Sequence, residues 1–564
     1  MVPDAPIDGE LPSVKPEDRS GDFTFSRGSN LAATRVNKGG LIEKGRENLL
    51  LQSNQFDTTW YNTTSAETGG QIGYDGSNDA WELSISAAAG RLTQLISLGG
   101  VQTFSVYAKA GTYNFLDLYA IGNVAHSAYF DLSTGSVGTT FSLIDSSITS
   151  VGNGWYKCSI TFSDTTLNVR FYPAVADNDL TGTSGSIYIQ DAQLEQGLGA
   201  TGYIETTTAT VQKGILENLP RIDYSGGGSC PSLLLEPQRS NLFTQSEYFN
   251  SSDWVKTNVT ATNNSAISPD GLQNATLIND GTASATQHWF YQPITLSSGT
   301  TYTISFYAKY VDRKNMFINI YNGATSNFVF YDIQNGVVLN GDGNAVRDIV
   351  DVGSGWYRIT YTRTIVSSGA NFRIGMANDT PIQTYTGENK EALIYGLQAE
   401  VGSYPTSYIP AYGSSVTRAG DNTGTIDVSS LGVTTGYTLF YELGDFNVAF
   451  GGVWLAQSGG SNRAYQVYGA TAVIKTNSGD VYPFNHGTSG EGTGIKVAVN
   501  YDGTNINVFT NGTKRGTWAA SKTIWDSLTN LDMNLSSVQM VNWKQLLVFP
   551  TALTDDECIA LTTI

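Results

Sequence analysis

The sequence predicts an all-β protein: tandem antiparallel β-sandwich or jelly-roll domains followed by a third region of strand-turn-strand signals. Three observations predict it. Short Val/Ile/Tyr/Phe/Thr runs recur between Gly, Asn and Asp clusters, and long Ala/Leu/Glu/Lys runs are absent. The runs alternate. Phe104, Val106 and Ala108 share a parity against Ser105 and Tyr107, as Tyr302, Ile304 and Phe306 do against Thr303 and Ser305. The pattern also occurs twice, since GNGWYK at 152–157 returns as GSGWYR at 353–358.

Walking outward from that pair extends the repeat. ENLLLQSNQF with Trp60 matches SNLFTQSEYF with Trp254, and TFSVYAKAG (103–111) matches TISFYAKYV (303–311). YFDLSTGSV (129–137) matches FYDIQNGVV (330–338). IYIQDAQLEQG (187–197) matches LIYGLQAEVG (393–402), and TGYIETT (201–207) matches TSYIPAY (406–412). The order is constant, and each copy is too long for a solenoid unit, so each reads as a domain. The glycines of GxGWY allow a tight turn into a strand whose core face is Tyr156, Cys158, Ile160 and Phe162. Trp155 takes the opposite parity, capping the sandwich end or serving as a ligand platform. Trp60 and Trp254 match each other and read as core.

Five segments result: an arm and framework (1–45), a first jelly-roll domain (46–208), a connecting segment (209–238), a second jelly-roll domain (239–412) and a C-terminal sandwich (413–564). In the last, Asp502-Gly503 and Asn511-Gly512 predict hairpins, and Thr554 with Glu557 predicts a capping box opening a short helix.

Composition excludes some functions. Lys plus Arg total 31 against 50 Asp plus Glu, a net charge of -19 without a basic stripe, which argues against nucleic acid and anionic lipid. Cys158, Cys230 and Cys558 are odd in number and far apart, and His126, His288 and His486 are scattered, so neither a disulfide framework nor a zinc site is predicted. The Pro-rich acidic start lacks a signal sequence, and no run of 18 apolar residues predicts a membrane span. Synthesis in a reducing cytoplasm, with release by lysis, is expected.

Three resemblances rest on these motifs. Both repeats resemble jelly-roll carbohydrate-binding modules through "NLL…QS…F…W", the YAK strand, the GWY strand and the closing QLE/QAE. Residues 424–564 resemble the concanavalin A-like (laminin G-like) fold through VAVNYDGTNINVFTNGTK and VFPTALTDDECIAL. FTFSRGSNLAATRVNKGGLIE (23–43) and ENLPRIDYSGGGSCPSLLLEPQRSNL (217–242) resemble a framework of bacteriophage virion proteins, fibres or capsid appendages, in which the two pieces run on directly. Here the first repeat separates them, so it reads as an insertion. The resemblance implies a virion structural protein, attached to other virion proteins by its N-terminal arm. It also implies a homo-oligomer, possible as a trimer; without a heptad, assembly would go through sheet or arm contacts.

Sugar sites pair an aromatic ring with Asp, Asn or Gln reaching hydroxyls. In YNFLDLYAIG, Leu116, Leu118 and Ala120 take the core parity, leaving Tyr113, Phe115, Asp117 and Tyr119 on the other. In copy two, Met316, Ile318 and Ile320 oppose Phe317, Asn319 and Tyr321. These outer residues are glycan candidates, with a second apolar layer as the competing reading. Trp81, Trp289 and Tyr291 are further platform candidates. The module resemblance implies a structural calcium, for which Asp191 is the candidate ligand, although copy two has Gly396 there. ADNDL (176–180) and NGDGN (340–344) read as cation loops or as polar turns. No catalytic motif appears, and Glu195 and Glu400 sit in the closing motif shared with non-catalytic modules. The expected function is a non-enzymatic virion fibre or decoration that contacts host-surface or environmental glycans and takes no cofactor. The rivals are a polysaccharide-degrading tailspike and a capsid decoration without a ligand.

Overall fold

The computed structural model describes residues 10–11, 22–28, 31–227, 231–321, 326–367, 369–424, 426–431, 433, 436–447, 455–456, 463–464, 466–468, 471–475, 481–485, 491–520, 530–531 and 540–563. Residues 1–9 and 12–21 of the N-terminal arm, Cys230 and His486 lie outside them. Apart from a short 3-10 turn and the helix Asp555–Thr562, every described element is a strand, and every strand pairing is antiparallel. The chain is all-β, as its alternation predicts.

The two repeats have the same topology. In the first, one six-stranded sheet runs Asp145–Gly152, Trp155–Ser163, Val101–Ala110, Gly185–Gln196, Ala80–Ile85, Ser65–Gln71. The facing sheet runs Ser136–Phe141, Ala125–Asp131, Phe115–Ile121, Thr166–Ala174, Arg91–Leu98, Tyr61–Thr63. The second repeat places its matching strands in the same order, adding only Thr384–Tyr385 beside Thr286–Tyr291. The inner parities fill two separate cores. Leu116, Leu118 and Ala120 join Phe104, Val106 and Ile160 in the first, and Met316, Ile318 and Ile320 join Ile304, Phe306 and Ile359 in the second.

The GxGWY turns are architecture. Asn153 and Gly154 have φ of 53° and 77°, and Ser354 and Gly355 have 53° and 78°, the left-handed pair a two-residue hairpin needs. Trp155 and Trp356 are both buried. Trp356 packs with Ile42, Tyr307, Tyr395 and Tyr408, so the outer face of that sheet is covered by the framework. Trp155, 1% exposed, offers no platform.

Each repeat leaves and rejoins the framework through a two-stranded clamp. Arg46–Asn48 pairs with Val211–Lys213 around the first, and Arg239–Asn241 pairs with Val416–Arg418 around the second. A Cβ on Gly45 would sit 3.0 Å from the Ile215 carbonyl, so the chain resumes where it left off. Between the clamps lies a buried ion network. Arg27 reaches Asp421 at 3.1 Å, Arg221 binds Glu236 at 2.6 Å and also Asp421, and Arg418 binds Glu236 at 2.7 Å.

Segment 209–238, expected as a connector, contributes two strands to the C-terminal unit. Arg221–Asp223 and Ser232–Leu235 open a seven-stranded sheet continued by Met540–Phe549, Tyr437–Asn447, Glu491–Tyr501, Asn505–Thr510 and Thr513–Ala519. They do so because Ile222, Leu233 and Leu235 bury against Tyr437, Val497 and Trp543. The Asn511-Gly512 hairpin forms with φ of 46° and 74°. Asp502-Gly503 opens a longer loop in which the Asp502 carboxylate accepts from the Thr504 and Asn505 amides. The capping box at Thr554 and Glu557 is present, and the helix buries Cys558 against Phe440, Ala498 and Phe509.

Candidate functional site

The outer face of the second repeat's Asn315–Tyr321 sheet gathers the candidates. Strand alternation points Phe317, Asn319 and Tyr321 away from the core. The neighbouring strands add Trp289 and Tyr291, Phe328 and Phe330, and Arg373 with Gly375. Phe317, Phe330 and Ala377 form a buried apolar floor, against which Trp289 and Phe328 pack. Gly375 makes that floor possible, because a Cβ there would run into the Phe317 ring and the His288 carbonyl. Phe317 is thus second-layer floor and not a contact surface, the competing reading of its parity.

Two polar groups stand on this floor. Asn319 is 1% exposed, and neither its Oδ1 nor its Nδ2 has a hydrogen-bond partner. Buried polar groups are almost always paired, so an amide orphaned at both ends is unusual. Directly across the ladder, the Arg373 guanidinium lies 3.7 Å from the Tyr321 ring centroid and 4.2 Å from that of Trp289. Both rings are partly exposed and flank the cation. An aromatic pair with amide and guanidinium donors between its rings can stack on one sugar face while hydrogen-bonding its oxygens.

The first repeat builds a related but more self-satisfied face. Tyr119 and Tyr172 meet edge to face at 5.7 Å. Arg170, in register with Arg373, lies over Tyr119 at 5.3 Å but donates to Asn168 Oδ1 at 2.7 Å and to the Tyr172 hydroxyl at 3.0 Å. Asp117 is 1% exposed with an unpartnered Oδ1. Burial, opposed by a Ser127 hydrogen bond, pushes its carboxyl up to about 7. The register aligns Asp117 with Phe317 and Tyr119 with Asn319, so the two faces carry different polar atoms at their centres.

Other candidates fall elsewhere. Tyr113 precedes the Phe115–Ile121 strand, so the strand's alternation does not govern it, and it packs over Gly182 and Gly185 against the first core. Trp81 shares its face with Leu83 and Ile85, lies in the first core and donates to the Asn54 carbonyl at 3.0 Å. It is no platform, and its alternation with Glu82 and Ser84 already carried that signal. Asp191 has φ of 56° at a bulge against Ser105–Tyr107, and Gly396 has φ of 61° at the matching bulge. A left-handed bulge residue explains an Asp/Gly alternation without a metal. Asp191 accepts from the Tyr74 hydroxyl at 2.9 Å, and burial pushes its carboxyl up to about 7. Among the described residues no three His, Cys, Asp or Glu converge as a cation cluster.

The acidic loops are satisfied turns. Asp177 accepts from the Thr139 amide and hydroxyl, Asp179 from those of Thr181, and Asp342 pairs with Arg363. Glu195 and Glu400 are likewise occupied: each accepts from a glutamine two residues before it and from the amide and hydroxyl of Thr201 or Thr406. A cavity of about 1110 Å³ lies where both repeats meet the framework. Of the cations lining it, Lys44 is bound by Glu247 at 3.0 Å and Asp270 at 2.6 Å.

Sequence reading missed Arg373. The signal was there: Asn168-Val169-Arg170-Phe171 matches Asn371-Phe372-Arg373-Ile374, an arginine kept on the outer parity of both copies.

No family model matches the sequence, and no curated protein matches it. Among solved structures, the N-terminal CBM22-1-CBM22-2 tandem domain of Paenibacillus barcinonensis Xyn10C is matched at 13% identity over 63% of this chain and 98% of that one, with a TM-score of 0.20. So low a score means the chains do not superpose as wholes, and the match lends this chain no function.

Proposed function

We propose that the protein is a non-enzymatic structural protein of a bacteriophage virion, a fibre or capsid appendage, whose second repeat binds glycans on its outer aromatic face. The observation that carries the glycan reading is Asn319, an amide buried among rings with both polar atoms unspent. A site built to hydrogen-bond a ligand leaves such groups unpaired until the ligand arrives. The virion reading is supported by the framework resemblance of residues 23–43 and 217–242. The clamp at Arg46–Asn48 and Val211–Lys213 supports it further, since it brings those two pieces back together across the first repeat. The non-enzymatic reading is supported by the engagement of Glu195 and Glu400 within the closing motif.

Three measurements test these readings. A glycan array probed with the intact protein, Tyr321→Ala and Asn319→Ala should show binding that both substitutions weaken; equal binding by all three removes the face. Incubation with host capsule should release no reducing sugar, and sustained release overturns the non-enzymatic reading. Labelled antibody on purified particles should decorate them, and bare particles remove the virion role.

A further inference from the structure

Among the described residues Arg373 is a cation without an anion. It takes part in no hydrogen bond or ion pair with any described residue, and its Nε is buried without a partner. What surrounds it is aromatic: Trp289, Tyr321 and, at 5.9 Å, Tyr291. Burial lowers its pKa, and the other groups acting on it are phenols rather than carboxylates. In a chain with 50 acidic and 31 basic residues, a guanidinium left this free is out of keeping with its surroundings. The buried framework arginines Arg27, Arg221 and Arg418 each hold a carboxylate. Arg170, at the same register in the first repeat, has its Nε and Nη1 occupied.

The position of this cation matters as much as its freedom. Asn319 is its ladder partner, so one cationic fork and one unpartnered amide lie side by side between rings that can stack on a sugar. A guanidinium matches a carboxylate in a bidentate geometry that neutral hydroxyls cannot reproduce. A single guanidinium balances one negative charge. The doubly charged phosphate monoester would call for a second cation, and the two cations just before the Asn315–Tyr321 strand, Arg313 and Lys314, each already pair with a carboxylate.

We infer that the outer face of the second repeat recognises an acidic sugar, a pyranose bearing a carboxylate, with Arg373 holding the carboxylate and Asn319 an adjacent oxygen. This rests on the glycan reading above and narrows it to one class of sugar.

The test measures binding of the intact protein to three probes: oligogalacturonate, its carboxyl-reduced counterpart, and a sulfated oligosaccharide of equal length. Binding to oligogalacturonate that falls more than about tenfold on carboxyl reduction supports the inference. Because this comparison uses one unaltered protein, a folding defect cannot produce it. Arg373→Gln should cause a similar loss for oligogalacturonate. Equal affinity for the carboxylated and reduced forms overturns the inference while the glycan reading stands. Preference for the sulfated probe overturns the carboxylate assignment. If none of these probes binds, the inference falls; if the glycan array is blank as well, the glycan reading falls with it.

Discussion

Asn48 and Asn241 make the same four hydrogen bonds. Asn48 Nδ2 donates to the Ala192 and Ile204 carbonyls while its Oδ1 accepts from the Leu50 and Leu194 amides. Asn241 does the same with Leu397, Ile409, Phe243 and Ala399. One side chain thus locks the entry strand of each repeat to its closing strand and to the segment that follows. Asn241→Ala leaves four buried backbone groups unpaired, and should cost about 3 kcal/mol. Urea unfolding should show a lower midpoint with an unchanged slope. An unaltered midpoint would mean that water replaces the amide freely.

The framework network makes an acid prediction. Burial opposes ionisation of Glu236, but Arg418 and Arg221 overcome it and hold the carboxyl down to about 2. A carboxylate depressed in the folded state contributes stability that is complete above its unfolded value, near 4.5, and is lost as pH falls towards about 2. Glu236→Gln removes this contribution and leaves Arg221 and Arg418 with one less anion, so it should destabilise the protein strongly at pH 7. The gap to the unaltered protein should narrow below pH 4. Melting curves from pH 7 to pH 3 read both effects, and a constant gap across that range defeats the argument.

The fold was legible because its signal is local and doubled. Alternation at Leu116, Leu118 and Ala120 and again at Met316, Ile318 and Ile320 gave the strands, and the repeated order gave two sandwiches. What stayed hidden was long-range. Nothing local to Ile222 or Leu233 says that they complete a sheet with Trp543. The site was half legible. Asn319 and Tyr321 were placed by parity, but Arg373 gains its meaning only from Trp289 and Tyr321 on other strands. Tyr113 lies outside the strand whose alternation would have aimed it, and Trp81 shares the core parity of Leu83 and Ile85.

Asp117 gives a pH effect of opposite sign. Burial holds its carboxyl at about 7, well above the ordinary value of 3.8. The folded protein therefore keeps the proton that the unfolded chain loses, and stability falls as pH rises from 3.8 to about 7. Asp117→Asn removes the ionisable group while keeping the shape. It should raise the melting temperature at pH 8 and change it little at pH 4. A variant less stable than the parent at pH 8 would mean that the ionised carboxylate is stabilised by a bound group.

Asp191 separates a metal ligand from a bulge residue. With φ of 56°, the position favours glycine, which is what copy two has at Gly396. Asp191→Gly should keep stability within about 1 kcal/mol, whereas Asp191→Val should cost about 1–3 kcal/mol, because a β-branched residue resists the left-handed region. A chelator should leave the melting temperature of the unaltered protein where it was. A drop on chelation would restore a cation to this loop.

Asn319 carries a conflict between stability and binding. A buried amide with two unpaired polar atoms costs free energy in the unliganded protein, and no described neighbour offsets it. Asn319→Leu keeps the γ-branched shape and the heavy-atom count and removes both polar atoms beside Phe328 and Arg373. It should therefore stabilise the unliganded protein by about 1 kcal/mol or more while weakening sugar binding at least tenfold. Unfolding and binding are measured on the same preparation, so gain and loss can be set side by side. Should the leucine variant melt earlier than the parent, the amide is being satisfied within the fold, and its place at the centre of a ligand face is lost.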